Sequence, residues 1–375
     1  MGGLNIGICG GGVGGLSAAL ALRKAGHAVT VFEQAAHFGR VGADINLTPN
    51  VVRALDGLGV GDALRETAAR PTFRISRNWD SGAETSRLEM ADAAQTRYGA
   101  PQLTIHRADL IAALAAQLPA EALRLGQRPL RVEALDTGVS VSCADGTESR
   151  FDALIGADGI HSMVRQALLG DEHPTFTGIV SYRAVVPVER LSGVETGAFV
   201  KWWGPSADRQ IVTFPLNRGR DLFVFATTAQ ADWTHESWTT PGDVQALRAA
   251  YADFHPEARA VLEACDSVLA SALYVRDPLP FWTRGAIALL GDACHPMMPF
   301  MAQGAGMAIE DAVVLARVLA DVDVTGVAAA LQRYENARLA RTARVQIGSR
   351  GNNWLKEGGN ADWVYGYDAW TVPLA

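Results

Sequence analysis

Apolar positions recur in short runs through the first half of the chain and at helical spacing towards its end. Ile6, Ile8 and Cys9 form a short apolar run, and Leu16 to Ala25 is an Ala- and Leu-rich stretch that Gly26 can cap. Ala28 to Phe32 is a second apolar run closed by Glu33, so the opening reads as strand, glycine turn, helix, strand. The segment 34–47 shows no period and is expected to be irregular. Thr48 as N-cap and Pro49 at the first helical position start a helix whose apolar face is Val51, Val52, Leu55 and Leu58; Asp62 to Ala69 is a second helical patch.

The character changes at Pro71. Thr72 to Trp79, Glu84 to Met90 and Gln102 to Ile105 read as strands, and Asp109 to Leu118 as a helix. Arg131 to Leu135 and Val139 to Cys143 alternate like a hairpin, Asp145-Gly146 marks a turn, and Phe151 to Ile155 is a short buried strand. Ile179 to Val188, Ala198 to Trp203, Gln210 to Phe214 and Leu222 to Ala226 follow without intervening helices, which predicts an antiparallel sheet. Pro241 to Leu262 returns to helix, Ala286 to Leu290 to buried strand, and Gln303 to Leu319 and Ala328 to Ile347 are long helices. A glycine-rich α/β domain interrupted by a mostly antiparallel β domain accounts for this order. The expected boundaries are 1–70, 101–174 and 275–325 for the α/β domain, 71–100 and 175–274 for the β domain, and 326–375 for a C-terminal helix and tail. The tail carries Trp354, Trp363, Tyr365, Tyr367 and Trp370, expected to pack as a satellite cluster on the body.

Composition narrows the class. The chain has 375 residues, 49% hydrophobic and 19% charged, with a formal net charge of −7 and no basic run, which argues against a nucleic-acid partner. Asn5 to Leu22 carries no charge, but six of its residues are glycine, so a membrane span is not expected, and neither is a signal peptide. Cys9, Cys143, Cys265 and Cys294 have no metal-like spacing; reduced thiols, no metal and a cytoplasmic location are expected.

The chemistry begins in the glycine turn. Gly10, Gly12 and Gly15 have the spacing in which the first glycine permits a tight turn, the second lets the backbone approach a pyrophosphate and the third lets helix pack on strand. The helix N-terminus offers free N–H groups and the positive end of its dipole to phosphates, and Glu33, 23 residues after Gly10, can accept hydrogen bonds from a ribose. This predicts dinucleotide binding without saying which dinucleotide. Two later blocks bear on that choice. Asp158-Gly159 ends a strand ahead of a helix start with Ser162 available as a cap. Asp292 ends another strand, followed by His295, Pro296 and Pro299, and Gln303 to Met307 opens a long helix through Gly304, Ala305 and Gly306. An acid at a strand end can hold ribityl hydroxyls, and a helix N-terminus aimed at a flavin ring stabilises its negative edge.

Together these blocks resemble the class A flavin-dependent aromatic monooxygenases, the group of p-hydroxybenzoate and salicylate hydroxylases. The block His106 to Leu110 matches a further family motif whose arginine, here Arg107, reaches FAD. The resemblance implies FAD as cofactor, NADH or NADPH as electron donor, O2 as co-substrate and a flavin C4a-hydroperoxide as oxidant of a small aromatic or N-heteroaromatic ring, in a monomer or homodimer. It implies cofactor contacts from Gly10, Gly12, Val13, Gly14 and Gly15 in the turn, from Glu33, Gln34 and Arg40 after the second strand, and from Arg107 and Asp158. Asp292 and Pro299, then Gly304, Ala305, Gly306 and Met307 at the last helix, complete the set. A flavin reductase or a non-catalytic flavin-binding protein is the alternative.

Thr104 to Leu110, Val200 to Trp203, Met301 to Gly304 and Asp362 to Asp368 look more narrowly like 6-hydroxynicotinate 3-monooxygenases, which hydroxylate a pyridine ring and expel its carboxylate. That family is expected to carry histidines at the positions of Asn46, Gln210 and Phe300, a tyrosine at Phe214 and a cysteine at Phe199. The substrate pocket expected here, from Asn46, Arg183, Phe199, Trp202, Gln210, Phe214, Pro299 and Phe300, is therefore more apolar, and an uncharged ring is an alternative substrate. No general base stands out; Asn46, His295 and Tyr182 are the candidates, with structural roles open for both His295 and His106.

Overall fold

The computed structural model describes residues 3–39, 44–233, 240–356 and 360–374. The strand Asn5–Cys9 is central to a six-stranded sheet, pairing in parallel with Ala28–Glu33 on one side and Ala153–Gly156 on the other. Leu123–Leu125 extends the first side, and Ile287–Leu289 and Thr283–Arg284 extend the second. The helix Val13–Lys24 is buried along nearly its whole length and packs on the helix Gly304–Leu319, which explains why its apolar residues are not confined to one face. A three-stranded antiparallel sheet carries the expected hairpin, Pro129–Ala134 with Val139–Cys143.

An eight-stranded sheet forms the other layer. Its strands run in the order 240–242, 268–275, 175–187, 221–229, 210–216, 199–203, 73–78, 84–89, antiparallel except for the parallel pair Phe199–Trp203 and Phe73–Asn78. The mixed α/β class with C-terminal helices is as the sequence predicts.

Several elements differ from the sequence reading. Asp44–Leu47, at the end of the segment expected to be irregular, is a strand paired with Leu103–His106. The expected helix 241–262 is an edge strand, Thr240–Gly242, followed by two helices, Val244–Ala250 and Pro256–Glu263. Asp243 caps the first through Gln245 and Ala246 N–H, and Pro256 takes the first position of the second, where its missing N–H costs nothing. Val268–Val275 is an interior strand of the large sheet, although Leu269 to Leu273 holds no β-branched residue to announce it. Asp92–Tyr98 is a further helix the sequence did not announce. Phe151 to Ile155 is divided between two sheets at Asp152, whose carboxylate accepts from Asn5 N–H at 2.7 Å.

The long helix Val327–Arg350 carries the tail. Arg341 lies 3.8 Å over the Tyr367 ring and Arg344 3.8 Å over Trp363, and Trp370 Nε1 donates to Ala54 carbonyl oxygen at 3.2 Å. Arg53 reaches the carbonyls of Tyr98, Tyr365 and Tyr367, so one guanidinium ties the tail to the first helical layer.

Candidate active site

The three glycines of the turn answer to different neighbours. Gly10 has φ +105°, and a Cβ there would sit 2.3 Å from the Ala157 carbonyl oxygen. A Cβ on Gly15 would sit 1.9 Å from the Gly10 carbonyl oxygen. Gly12 differs: it is the N-cap of Val13–Lys24, and a Cβ there meets no protein atom nearer than an Arg107 guanidinium nitrogen at 3.9 Å. The fold itself therefore requires Gly10 and Gly15, whereas the space before Gly12 is open and faces a cation. Glu33 accepts from Gly11 and Ala35 N–H, both at 2.8 Å, one on each carboxylate oxygen, leaving lone pairs on both. Gln34 is exposed beyond the strand end. Arg40 lies outside the described residues.

A cavity of about 580 Å³ begins at Gly12, Val13 and Gly14 and extends to the face of the eight-stranded sheet. Arg107, Asp292, Pro299, Gly304 and Ala305 line it, as do Asn46, Arg183, Phe199, Gln210, Phe214 and Phe300. Asp292 is open to the cavity and enclosed by protein elsewhere; its poor hydration raises its carboxyl pKa, against the pull of His295 and Arg107. A Cβ on Gly304 would come no closer than 3.8 Å to Met297 and 4.0 Å to an Asp292 oxygen, so the N-terminus of the buried helix Gly304–Leu319 also faces open space. Gly306 and Met307 point elsewhere: a Cβ on Gly306 would meet Val51 at 2.6 Å, and Met307 is core. Two helix N-termini, the strand-end acid Asp292 and Arg107 thus face one open volume, while Glu33 lies outside its lining, held beside the glycine turn by Gly11 N–H; the arrangement fits FAD in extended form.

Several expected site residues do not line this cavity. Asp158 accepts from Ser162 Oγ and from Met163 and Val164 N–H at 2.8 and 3.1 Å, while Ser162 Oγ accepts from Arg165 N–H at 2.9 Å. Its carboxylate caps the helix Met163–Leu169, and Ala157 and Gly159 reach the cavity in its place. His295 is buried behind the strand end, with Nε2 2.6 Å from an Asp311 oxygen. Cys294, His295 and Asp311 bring ligand-type atoms within 4.8 Å, but Arg338 supplies the positive charge, 2.7 Å from the other Asp311 oxygen and 2.8 Å from Glu310. Burial opposes that charge, yet Glu310 and Asp311 outweigh it and the Arg338 pKa is raised.

Strand parity removes two more. Phe199, Lys201 and Trp203 share one face of their strand, so Trp202 points to the other, where it stacks on His255 at 5.5 Å in the core. Arg183 and Ser181 face the cavity; Tyr182 faces away, its hydroxyl accepting from Gln230. On the cavity side Phe199 stacks on Phe214 at 5.4 Å and 7°, and Phe223 lies 4.8 Å from Phe214. Asn46 accepts from Gln102 at 2.7 Å and keeps an unpartnered Nδ2, while neither end of the Gln210 amide has a partner among the described residues.

Asp44, Arg74 and Lys201 also line the cavity and were not among the expected site residues. Asp44 is on the same strand as Asn46, two positions earlier; burial raises its pKa to about 7 although Arg183 and Arg107 oppose the rise. Arg74 lies 4.9 Å over the Phe199 ring, and Lys201 donates to Asn352 Oδ1 at 2.6 Å. The expected aromatic wall is present, and these two cations share its face. Even spacing from Phe199 placed Lys201 there; nothing local marked Arg74.

A family model described as an FAD binding domain matches residues 4–348. The chain is 42% identical over 371 residues to a 6-hydroxynicotinate 3-monooxygenase from Bordetella bronchiseptica, covering 98% of this chain and 96% of that protein. Among solved structures it resembles a salicylate hydroxylase substrate complex, with TM-score 0.84, 26% identity and coverage of 98% and 96%. It also resembles Klebsiella pneumoniae HpxO complexed with FAD and uric acid, with TM-score 0.83, 26% identity and coverage of 96% and 90%. The cavity that fits FAD and the match along nearly the whole length agree: the chain belongs to the FAD-dependent aromatic monooxygenases.

Proposed function

We propose that this protein hydroxylates a small aromatic or N-heteroaromatic ring, with FAD as cofactor, NADH or NADPH as electron donor and O2 as co-substrate. The observation that carries the reading is that one cavity joins the elements suited to FAD with a sheet face of stacked phenylalanines. Bound FAD, once reduced, supplies the activation of O2 for transfer of one oxygen atom to the ring. The chain's own residues bind and orient. The N–H groups around Gly12 and the Arg107 guanidinium receive the pyrophosphate, Glu33 the ribose, and Asp292 the ribityl hydroxyls. The N-terminus of Gly304–Leu319 favours negative charge in front of it. Phe199 and Phe214 hold the ring and exclude water, and Asn46 Nδ2 and Arg183 are placed to hydrogen-bond its substituents. Loss of a ring carboxylate in the same step is the finer form of the proposal, supported by the likeness to 6-hydroxynicotinate 3-monooxygenase. The division into FAD and substrate domains at the boundaries given above, a cytoplasmic location and a monomeric or homodimeric state belong to the same reading.

The test is a screen of hydroxypyridines, hydroxybenzoates and quinolines, 6-hydroxynicotinate first, for stimulated NADH or NADPH oxidation by the FAD-loaded protein, with product mass under ¹⁸O2. An oxygenated, labelled product is expected. Bound FAD with no ligand-stimulated oxidation across the screen would refute the enzyme reading and favour a binding protein.

A further inference from the structure

Arg74, Lys201 and Gln210 are 4%, 3% and 1% exposed, and all three line the cavity. Such burial of two cations is costly unless negative charge compensates it. Among the described residues neither cation makes an ion pair: Lys201 is held by the neutral Asn352, and Arg74 Nε has no hydrogen-bond partner. Each is placed against aromatic faces instead, Lys201 3.7 Å over Trp203 and 5.7 Å from Phe300, Arg74 over Phe199. Beside them the Gln210 amide is unpartnered at both ends, and Gln210 is paired in register with Trp203. A donor-rich, acid-free patch inside an otherwise aromatic wall calls for an anion from outside the protein.

Resting on the proposed ring hydroxylation, we propose that Arg74, Lys201 and Gln210 form the receptor for an acidic group, a carboxylate, on the aromatic substrate, and that they select acids over neutral rings. Arg74 and Lys201 receive the charge and Gln210 Nε2 donates a hydrogen bond. The groups facing Lys201 are Arg74 from the neighbouring strand, Lys356 and Asn352 from the segment after the last long helix, and Trp203 and Phe300; Tyr365 stands near Arg74. Burial first, then Arg74 and Lys356, lower the Lys201 pKa well below its usual value. An arriving carboxylate opposes that pressure and favours the charged amine.

The experiment is binding to the FAD-loaded protein, read by perturbation of the flavin absorbance without NAD(P)H, for matched acids and amides of 6-hydroxynicotinate, 4-hydroxybenzoate and salicylate. At least one acid is expected to bind on the order of 10- to 150-fold more tightly than its amide, the loss of one charge-assisted hydrogen bond. Arg74→Gln and Lys201→Met should each remove most of that ratio, weakening the acid far more than the amide. Asn352 has φ 44°, a conformation aspartate tolerates, so Asn352→Asp should fold while offering Lys201 an internal carboxylate; it should weaken the acid and spare the amide. Equal binding of every acid and its amide, or variants that weaken both alike, would overturn the inference. Turnover without acid selectivity overturns this inference alone; acid-selective binding without turnover overturns the hydroxylation reading alone.

Discussion

Replacing Gly12 by alanine separates a glycine kept for a ligand from a glycine kept for the fold. At Gly12 φ is −75° and ψ −174°, which alanine adopts freely, and its new methyl would have 3.9 Å of clearance. Restricting the unfolded chain is worth about 0.4–1 kcal/mol, and losing a good N-cap residue costs about as much, so the FAD-free stability should hardly move. For a chain of this length about 1 kcal/mol corresponds to roughly 1–2 °C in Tm. The same methyl fills the berth expected for the pyrophosphate and breaks at least one N–H to phosphate hydrogen bond, about 1.5–3 kcal/mol, or about 10- to 150-fold in affinity. Gly15→Ala is the contrast: its methyl would sit 1.9 Å from the Gly10 carbonyl oxygen, so apo stability should fall by about 1–3 kcal/mol or more. FAD titration by fluorescence and thermal melts of the apo proteins read both quantities. Unchanged FAD affinity in Gly12→Ala, or an apo Tm as low as that of Gly15→Ala, would refute the reasoning.

Asp44→Asn probes a pH dependence. The folded pKa of Asp44 is about 7, above its unfolded value, so between pH 4 and 7 the folded state holds more protons and stability falls as pH rises. The apo variant should match the wild type near pH 4 and exceed it at pH 8; parallel Tm curves would sink the assignment. Arg338→Met leaves Asp311 and Glu310 short of a buried partner and should cost about 3–5 kcal/mol in thermal or denaturant unfolding. Phe199→Ala should weaken ring binding by removing the stack on Phe214, whereas Trp202→Phe should alter stability and leave ligand affinity unchanged, as measured by flavin-perturbation titration.

The glycine turn and the strand-end acid Asp292, whose signals are local spacings, both border the cavity. Asp158 shows the limit of such spacing: four residues before Ser162, its side chain is used to start a helix, and only its neighbours reach the cavity. The substrate wall was readable only in part. Phe199 and Trp202 are three apart and cannot share a strand face, so alternation alone would have exchanged Trp202 for Lys201. Arg74 was beyond local reading, since the parallel pairing of Phe73–Asn78 with Phe199–Trp203 brings it beside Phe199 from 125 residues away. The interior strand Val268–Val275 was hidden for a related reason: Ala, Leu and Ser take the strand conformation there because neighbouring strands impose it.

The order of strands in the six-stranded sheet has a consequence for synthesis. Asn5–Cys9 is made first, but one partner, Ala153–Gly156, comes much later, and Ile287–Leu289, with the acid Asp292 after it, later still. The helix Gly304–Leu319, against which Val13–Lys24 packs, follows. At typical ribosome speeds of about 5–20 residues per second, the glycine turn waits roughly 15–60 s for the second half of its cofactor site. During that time the apolar strand and its helix have no permanent cover. A nascent chain halted before the last third is therefore a client for chaperones and cannot hold the flavin, and loading with FAD belongs to the final stage of folding.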